Sequence, residues 1–186
     1  MDIKKLFVKK RVYDYAIFSV IIVVGIILDQ LTKWLAVTYL KPIWPDSVPI
    51  IEGVLQLTYA ENTGAAFSML SDAPWVFKSI STVAIIAMVI YLYGCKGGRR
   101  LQDIAIAMII SGGIGNMIDR TVLNYVVDFI DFCLIDFAIF NGADSFVCVG
   151  AGLLILSLIL DTKDEYKKEQ EAKAKRENPP SEGDAE

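Results

Sequence analysis

Four long apolar runs occupy most of this chain, and they restrict it to a membrane fold. The sequence is 54% hydrophobic with a mean hydropathy of +0.47, which is too apolar for an ordinary soluble domain of 186 residues. A helix that crosses a bilayer needs about 20 predominantly apolar residues. That length predicts four spans, at about 15–34, 75–93, 101–120 and 141–160.

Positive charges predict how these spans are oriented. Five Lys or Arg residues precede Tyr13, three lie in the 94–101 loop, and six follow Leu160. The segments 35–74 and 121–140 hold only Lys41 between them. Because Lys and Arg favour the cytoplasmic side of a membrane, we expect both termini inside and these two segments outside. The first run follows a basic N-terminus but lacks a small-residue cleavage site, so we interpret it as an uncleaved span.

The segments between and after the spans predict the remaining architecture. The first outer segment, about 41–70, contains helix-ending prolines, a plausible strand at 54–59 and a turn at 61–64. The second, about 121–140, is too apolar for a free loop and too short to span. The fold class is therefore an all-α membrane protein. It has four transmembrane helices, a small extracytoplasmic β-sheet and an interfacial helix or loop.

Three regions follow from this division of the chain. A basic cytoplasmic N-terminus occupies 1–14, the transmembrane domain occupies 15–160, and a charged cytoplasmic tail occupies 161–186. Pairs of opposite charge four residues apart favour a helical start to the tail. Its prolines and acidic residues near the end predict disorder.

The few polar residues of the spans converge near the outer face. Ionisable groups inside a bilayer are costly and usually mark function. The converging residues are Asp29, Asn116, Asp119, Arg120, Asn141 and Asp144.

Helical geometry predicts how these residues are arranged. Asp29 lies about 7–8 Å below the outer end of its span at 1.5 Å per residue. Asn116 and Arg120 share one helix face. Asn141 is predicted to cap the fourth span, with Asp144 in its first turn.

Asp128 and Asp144 form a candidate catalytic pair. They are 16 residues apart and joined by one outer loop, so they can meet. When two carboxylates share a site, one stays protonated while the other acts as a base. Such a pair can activate water against a carbonyl without His, Ser or metal. The chain has no His, its three Cys show no metal-site spacing, and its net charge of −4 argues against nucleic acid as a partner.

Structural alternatives exist for several of these residues. Asp144 could serve only as a helix cap, and Asp119 with Arg120 could be an ion pair at a helix end. Asp131 and Asp136 are interpreted as a solvated rim outside the site. The small residues from Ser111 to Gly115, spaced as in tightly packed membrane helices, predict close helix packing.

Five motifs occur in order along the chain. They are DQLTK at 29–33, NTGAAF at 62–67, GGIGNMIDR at 112–120, VVDF at 126–129 and FNGADS at 140–145. On these motifs the chain resembles lipoprotein signal peptidase (signal peptidase II), a bacterial intramembrane aspartic protease. Gly142 departs from the family, which usually has a larger apolar residue there.

The resemblance implies a function and a set of site residues. It implies cleavage of prolipoproteins just before a diacylglyceryl-modified cysteine, with Asp128 and Asp144 as the catalytic aspartates. By the same resemblance, the residues that position the substrate and the catalytic pair are Asn62, Gly64, Asn116, Arg120 and Asn141. Asp29 and Lys33 would shape the pocket, and Asp119 would support Arg120.

The resemblance also implies the partners and the location. The partners are lipidated prolipoproteins and membrane lipid, and we expect no metal and no other cofactor. The expected location is the bacterial cytoplasmic (inner) membrane, with the site at its outer face.

Two other classes of function remain open on the sequence. A proton-coupled transporter could use Asp29, Asp128 and Asp144 as a relay, and a scaffold protein would need no chemistry. Clustering of the acids at one face argues against a relay, which needs stepping groups across the bilayer.

Overall fold

Four long helices form most of the computed structural model, which describes residues 3–64, 74–94, 100–135 and 137–177. Each helix contains one of the predicted apolar runs. They are α1 (Ile3–Leu35), α2 (Pro74–Gly94), α3 (Arg100–Val122) and α4 (Gly142–Glu177). A π-helical turn (Ala36–Leu40) and a 3-10 turn (Lys41–Ile43) extend α1.

The helices have the length and composition of membrane spans. Three described segments could cross a bilayer, namely Val12–Ile43, Arg100–Val122 and Gly142–Lys173. The described part of α2 adds a shorter apolar stretch, Lys78–Gly94. Large apolar side chains such as Val23 and Ile155 are exposed on the outside of the bundle. Extensive apolar surface of this kind suits contact with lipid rather than water.

The charged tail differs from its prediction. Residues 161–177 continue α4 as helix, so the helical start is confirmed but disorder was wrong for this part. Opposite charges at Glu169 and Lys173, spaced one helical turn apart, favour the helical state. Residues 178–186 lie outside the described part of the chain.

A three-stranded antiparallel sheet lies beside the helices. Its strands are β1 (Val48–Ile51), β2 (Leu55–Asn62) and β3 (Val126–Asp131), in the order β1–β2–β3. β2 includes the predicted strand at 54–59 except for Val54, and the β1–β2 turn includes Gly53 at a φ of 71°. Left-handed backbone of this kind favours glycine.

The third strand corrects the prediction of an interfacial helix or loop within 121–140. Residues 126–131 pair with β2, placing Ala60 opposite Asp128, and Ile130 forms a further bridge with Phe140. Backbone pairing satisfies the polar groups of this apolar segment, so it does not need the membrane interface. A 3-10 turn, Cys133–Ile135, follows the strand.

Two apolar cores hold the sheet and the bundle together. One joins the end of α1 to the sheet through Ala36, Leu40, Tyr59, Val127 and Phe129. The other lies between α1, α2 and α3, with its buried members Phe18, Leu92, Ile106, Ala107 and Ile110. The first core therefore fixes β3 against the C-terminal end of α1.

Helix α3 contacts all three other helices, and glycines permit its closest approaches. A Cβ at Gly112 would collide with the backbone carbonyl of Ala143 on α4. A Cβ at Gly115 would fall on the carboxylate of Asp29 on α1. The predicted role of the 111–115 segment in close helix packing is confirmed.

Candidate active site

Polar side chains from five elements meet where β3 contacts the C-terminal ends of α1 and α3 and the start of α4. This grouping confirms the convergence expected from the sequence. The residues connected here by hydrogen bonds or ion pairs are Asp29, Lys33, Asn62, Asn116, Asp119, Asp128, Asn141 and Asp144.

Asp128 is a buried acid in the middle of β3, with 1% of its surface exposed. Its Oδ1 accepts a hydrogen bond of 2.7 Å from Asn141 Nδ2, and its Oδ2 accepts one of 2.9 Å from Asn62 Nδ2. Burial raises the pKa of Asp128 to about 6, the negative charge of Asp144 adds to this rise, and the two amides oppose it. This carboxyl therefore keeps its proton to a higher pH than an ordinary aspartate.

Asp144 lies in the first turn of α4 and is half-buried. The backbone N–H of Asp144 donates to Asn141 Oδ1 at 3.0 Å, and that of Asn141 donates to Asp144 Oδ2 at 3.1 Å. This reciprocal pair is a capping box built from Asn and Asp, as the sequence predicted for the cap. Asn116 Nδ2 donates to Asp144 Oδ1 at 2.7 Å. A helix N-terminus favours a negative charge at this position.

Asn141 is therefore the residue that contacts both acids. Its side chain is fully buried, and it caps α4 with its oxygen while its amide nitrogen reaches Asp128. The capping role and the role in the site are compatible, because opposite ends of one amide perform them. Capping the helix therefore does not exclude Asp144 from a position beside Asp128.

The end of β2 orients Asn62. The backbone N–H of Gly64 donates to Asn62 Oδ1 at 2.8 Å, and Gly64 has a φ of 92°. This Asx turn leaves the amide nitrogen of Asn62 facing Asp128. Glu61 and Asn62 still belong to the strand, so the turn predicted at 61–64 begins at Thr63.

Helix α1 contributes a buried ion network. Lys33 Nζ lies 2.9 Å from Asp29 Oδ2, 2.9 Å from Asp119 Oδ2 and 2.8 Å from Asn116 Oδ1. The other oxygen of Asp29 accepts the backbone N–H of Ala143 at 2.9 Å, which ties α1 to the start of α4. The backbone N–H of Val127 on β3 donates to Asp119 at 3.1 Å.

Gln30 belongs to this network, and the sequence did not single it out as a site residue. Its Nε2 lies 3.0 Å from Asp119 Oδ1 and 3.2 Å from both Asp29 Oδ2 and the carbonyl oxygen of Gly115. The available signal was a polar side chain inside an apolar helix next to Asp29.

A cavity of about 270 Å³ opens beside Asp144 between α2, α3 and α4. Asn116 and the half-buried Arg120 line its polar end with Asp144, and Ile85 and Met88 are among its apolar walls. The cavity therefore joins an apolar environment to the acids. Such a shape suits an extended segment that enters from a bilayer.

Asp131 differs from its prediction as a solvated residue. It accepts hydrogen bonds from Gln56 Nε2 at 2.7 Å and Thr58 Oγ1 at 2.8 Å, and so belongs to the sheet. It remains outside the hydrogen-bonded network of Asp128. Asp136 lies outside the described residues.

Within the described ranges, no three His, Cys, Asp or Glu side chains are grouped so that they could hold a metal ion. The site offers two carboxylates that both accept hydrogen bonds from Asn141, Asp128 from its side chain and Asp144 from its backbone N–H. Neutral amide donors surround them, and a cavity opens beside Asp144.

Comparison with known proteins identifies the family. A family model described as signal peptidase (SPase) II matches residues 21–160. This chain belongs to the signal peptidase II family.

Individual relatives agree with this signal peptidase II assignment. Lipoprotein signal peptidase from Bacillus subtilis is 43% identical over 144 residues, covering 76% of this chain and 92% of the relative. The protein of the same name from Brevibacillus brevis is 40% identical over 146 residues, covering 78% and 97%.

Two solved structures described as bacterial membrane enzymes share the fold of this signal peptidase II chain. Both are 35% identical to it. One has a TM-score of 0.73 and covers 80% of this chain and 91% of its own. The other has a TM-score of 0.70, with 77% and 92% covered. Together with the apolar helices, these neighbours identify a membrane protein.

Proposed function

We propose that this chain is an aspartic endopeptidase that removes signal peptides from diacylglyceryl-modified prolipoproteins, with Asp128 and Asp144 as the catalytic pair. Membership of the signal peptidase II family supports the removal of signal peptides during lipoprotein maturation. The observation that carries the aspartic mechanism is the position of Asn141, whose single side chain contacts both carboxyl-bearing residues.

The two acids have different environments, and these favour different roles. At the N-terminus of α4, both oxygens of the Asp144 carboxyl accept hydrogen bonds, one from Asn116 and one from Asn141. Asp128 is buried in a strand, and burial raises its pKa to about 6. In this mechanism Asp144 accepts a proton from water as the oxygen attacks the scissile carbonyl carbon, and Asp128 donates its proton to the carbonyl oxygen. The resulting tetrahedral diol then collapses: Asp128 takes a proton from one hydroxyl as the carbonyl re-forms, the carbon–nitrogen bond breaks, and Asp144 gives its proton to the leaving nitrogen.

The cavity beside Asp144 is suited to bring the substrate to the pair. A signal peptide is itself an apolar segment, so its backbone can follow the apolar walls of the cavity toward Asp144. Arg120 at the polar end would bind the substrate backbone near the scissile bond, and Asn116 beside it would hold Asp144. Asn62, held by Gly64, would keep Asp128 oriented from the opposite side.

The proposal also includes a position in the membrane. Helix α2 has 21 residues, which corresponds to about 32 Å and matches a hydrocarbon core of about 30 Å. We therefore infer four spans, with α2 as one of them. The charge asymmetry of the loops favours both termini in the cytoplasm, and thus a site at the outer face of the bacterial cytoplasmic membrane.

The lipid on the substrate explains how a scissile bond stays at the depth of the acids. Each methylene kept in an apolar environment contributes about 0.8 kcal/mol. Two acyl chains on the cysteine would therefore hold the cleavage site at the membrane interface. A precursor without these chains lacks that anchor.

A cleavage assay with purified protein in detergent tests the proposal. Wild-type protein should shorten a diacylglyceryl-modified precursor, and it should cut the unmodified precursor far more slowly. Asp128→Asn and Asp144→Asn should each lower the rate by several orders of magnitude, because a catalytic pair works as a unit. Asp131→Asn is the matched control, since this acid is on the same strand but bonds to Gln56 and Thr58.

Each result bears on a separate part of the proposal. Cleavage by either pair variant within about tenfold of wild type would refute the catalytic assignment. Equal cleavage of both precursors would leave a protease but remove the lipid specificity. No product with wild-type protein would instead favour a transporter or a scaffold.

A further inference from the structure

Lys33 is buried on α1 with only 3% of its surface exposed, and its contacts account for its whole hydrogen-bonding capacity. A lysine ammonium has three N–H donors and no acceptor. Three oxygens lie within 2.9 Å of Nζ, and they belong to Asp29, Asp119 and Asn116. No hydrogen of Lys33 is left for a substrate or for either acid of the proposed pair.

The contact with Asn116 has a consequence for the active site. Because the ammonium can only donate, it requires the oxygen of the Asn116 amide on its own side. The amide nitrogen of Asn116 must then face the other way, where it donates to Asp144 Oδ1 at 2.7 Å. Asn141 Nδ2 approaches the same Asn116 oxygen at 3.1 Å, which reinforces this orientation.

We propose that Lys33 is a positioning residue that fixes the direction of the Asn116 amide and thereby presents an N–H donor to Asp144. The inference rests on the proposed function, in which Asp144 is the base. Gln30 orients the Asp119 carboxylate in this network. Its Nε2 donates to Asp119 Oδ1, while Oδ2 of the same carboxylate contacts Lys33.

The variant that tests this must limit the number of buried charges left without a partner. Lys33→Met alone would leave the carboxylates of Asp29 and Asp119 buried together without a cation, which strongly destabilises a protein. The experiment therefore uses Asp29→Asn as the reference background, in which Lys33 still contacts Asp119 and Asn116. Adding Lys33→Met then leaves one buried carboxylate instead of two, that of Asp119, which keeps its hydrogen bond from Gln30.

The cleavage kinetics should separate positioning from binding. In the Asp29→Asn background, Lys33→Met should lower kcat by about 10²-fold, the loss expected when a catalytic group is misoriented. KM for the lipidated precursor should be unchanged, because Lys33 has no donor available for the substrate. Thr38→Val, in the π-helical turn that extends α1, is the control. The Thr38 hydroxyl donates to the backbone carbonyl of Trp34, outside the site network, so this variant should keep wild-type kinetics.

A double-mutant cycle distinguishes this role from a general structural one. Asn116→Ala should be combined with Lys33→Met in the same background and assayed in single turnover with excess enzyme. If Lys33 acts through Asn116, the second substitution adds little to the first. Full additivity of the two losses, or a rise in KM without a fall in kcat, would overturn the proposal.

Folding and function are checked in the same series. The thermal unfolding midpoint in detergent should be lower for the Asp29→Asn protein with Lys33→Met than without it, because Asp119 loses its cation, so cleavage is assayed well below the lower midpoint. If the loss from Asn116→Ala is additive with the loss from Lys33→Met, Lys33 is structural only. Failure of wild-type protein to cut the lipidated precursor would count against the proposed function, whereas failure of the cycle alone counts against this inference.

Discussion

Two substitutions of Asn141 separate its two roles, which are capping α4 and donating a hydrogen bond to Asp128. Serine can perform the first role, and alanine can perform neither. Alanine removes the helix cap, at a cost of about 1 kcal/mol in unfolding free energy. It also removes the donor to the buried Asp128 Oδ1, and an unsatisfied buried acceptor costs about 1–3 kcal/mol. Asn141→Ala should therefore lose about 2–4 kcal/mol. Serine is a good cap but too short to reach Asp128, so Asn141→Ser should lose about 1 kcal/mol less.

The two variants should cleave at similar rates although their stabilities differ. Both variants lose the contact with Asp128, so both should cleave the lipidated precursor about 10²–10³-fold more slowly, the usual effect of losing one preorganised donor. Stability is measured by thermal unfolding in detergent, and activity by single-turnover cleavage below the unfolding midpoint. A serine variant with a near wild-type rate would refute the link that Asn141 provides between the acids. Equal stability of the two variants would refute its role as the cap.

Two further predictions concern pH and packing. Burial raises the pKa of Asp128 to about 6, and the mechanism needs the proton of this carboxyl. The value of kcat/KM should therefore fall as pH rises through about 6. A flat profile from about pH 5 to 8 would contradict this prediction. Gly115→Ala would press a methyl group onto the Asp29 carboxylate and should cost about 1–3 kcal/mol of stability together with activity. The control Gly152→Ala, where a Cβ meets nothing within 4 Å, should be neutral or slightly stabilising in the same unfolding assay.

Hydropathy and charge predicted the positions of the apolar helices because a helix that crosses a bilayer needs about 20 apolar residues. The predicted span at 101–120 differs from α3 (Arg100–Val122) by only one or two residues at each end. The cap at Asn141 was equally predictable, because capping depends on local backbone geometry and on the side chain that follows three residues later. Features of this kind need no knowledge of the tertiary structure.

The third strand could not be recognised from periodicity. Val126 and Val127 are adjacent in a strand and so face opposite sides of the sheet, yet both are only 1% exposed. A strand buried on both faces does not alternate between apolar and polar residues. Its apolar run therefore resembled an interfacial segment, and its partner β2 was more than 60 residues away in sequence.

Gln30 was missed for a related reason. Its amide contacts depend on the close approach of α1 and α3 at Gly115, which is a property of the packed helices. The Lys33–Asn116 contact likewise joins residues 83 positions apart. Sequence motifs placed both residues near the site, but only the packing assigns a partner to each atom.

The choice of asparagine around the acids follows from what the proposed reaction requires. Asp128 must keep a proton, and a cation in direct contact would favour loss of that proton. Amide donors from Asn62 and Asn141 orient its carboxyl without adding charge. The one buried cation, among the residues whose side chains the structure describes, is Lys33, and Asp29 and Asp119 neutralise it. Its hydrogen-bonded connection to Asp144 passes through the neutral amide of Asn116. A network built this way fixes the geometry of the two carboxylates and leaves burial as the main cause of the raised pKa of Asp128.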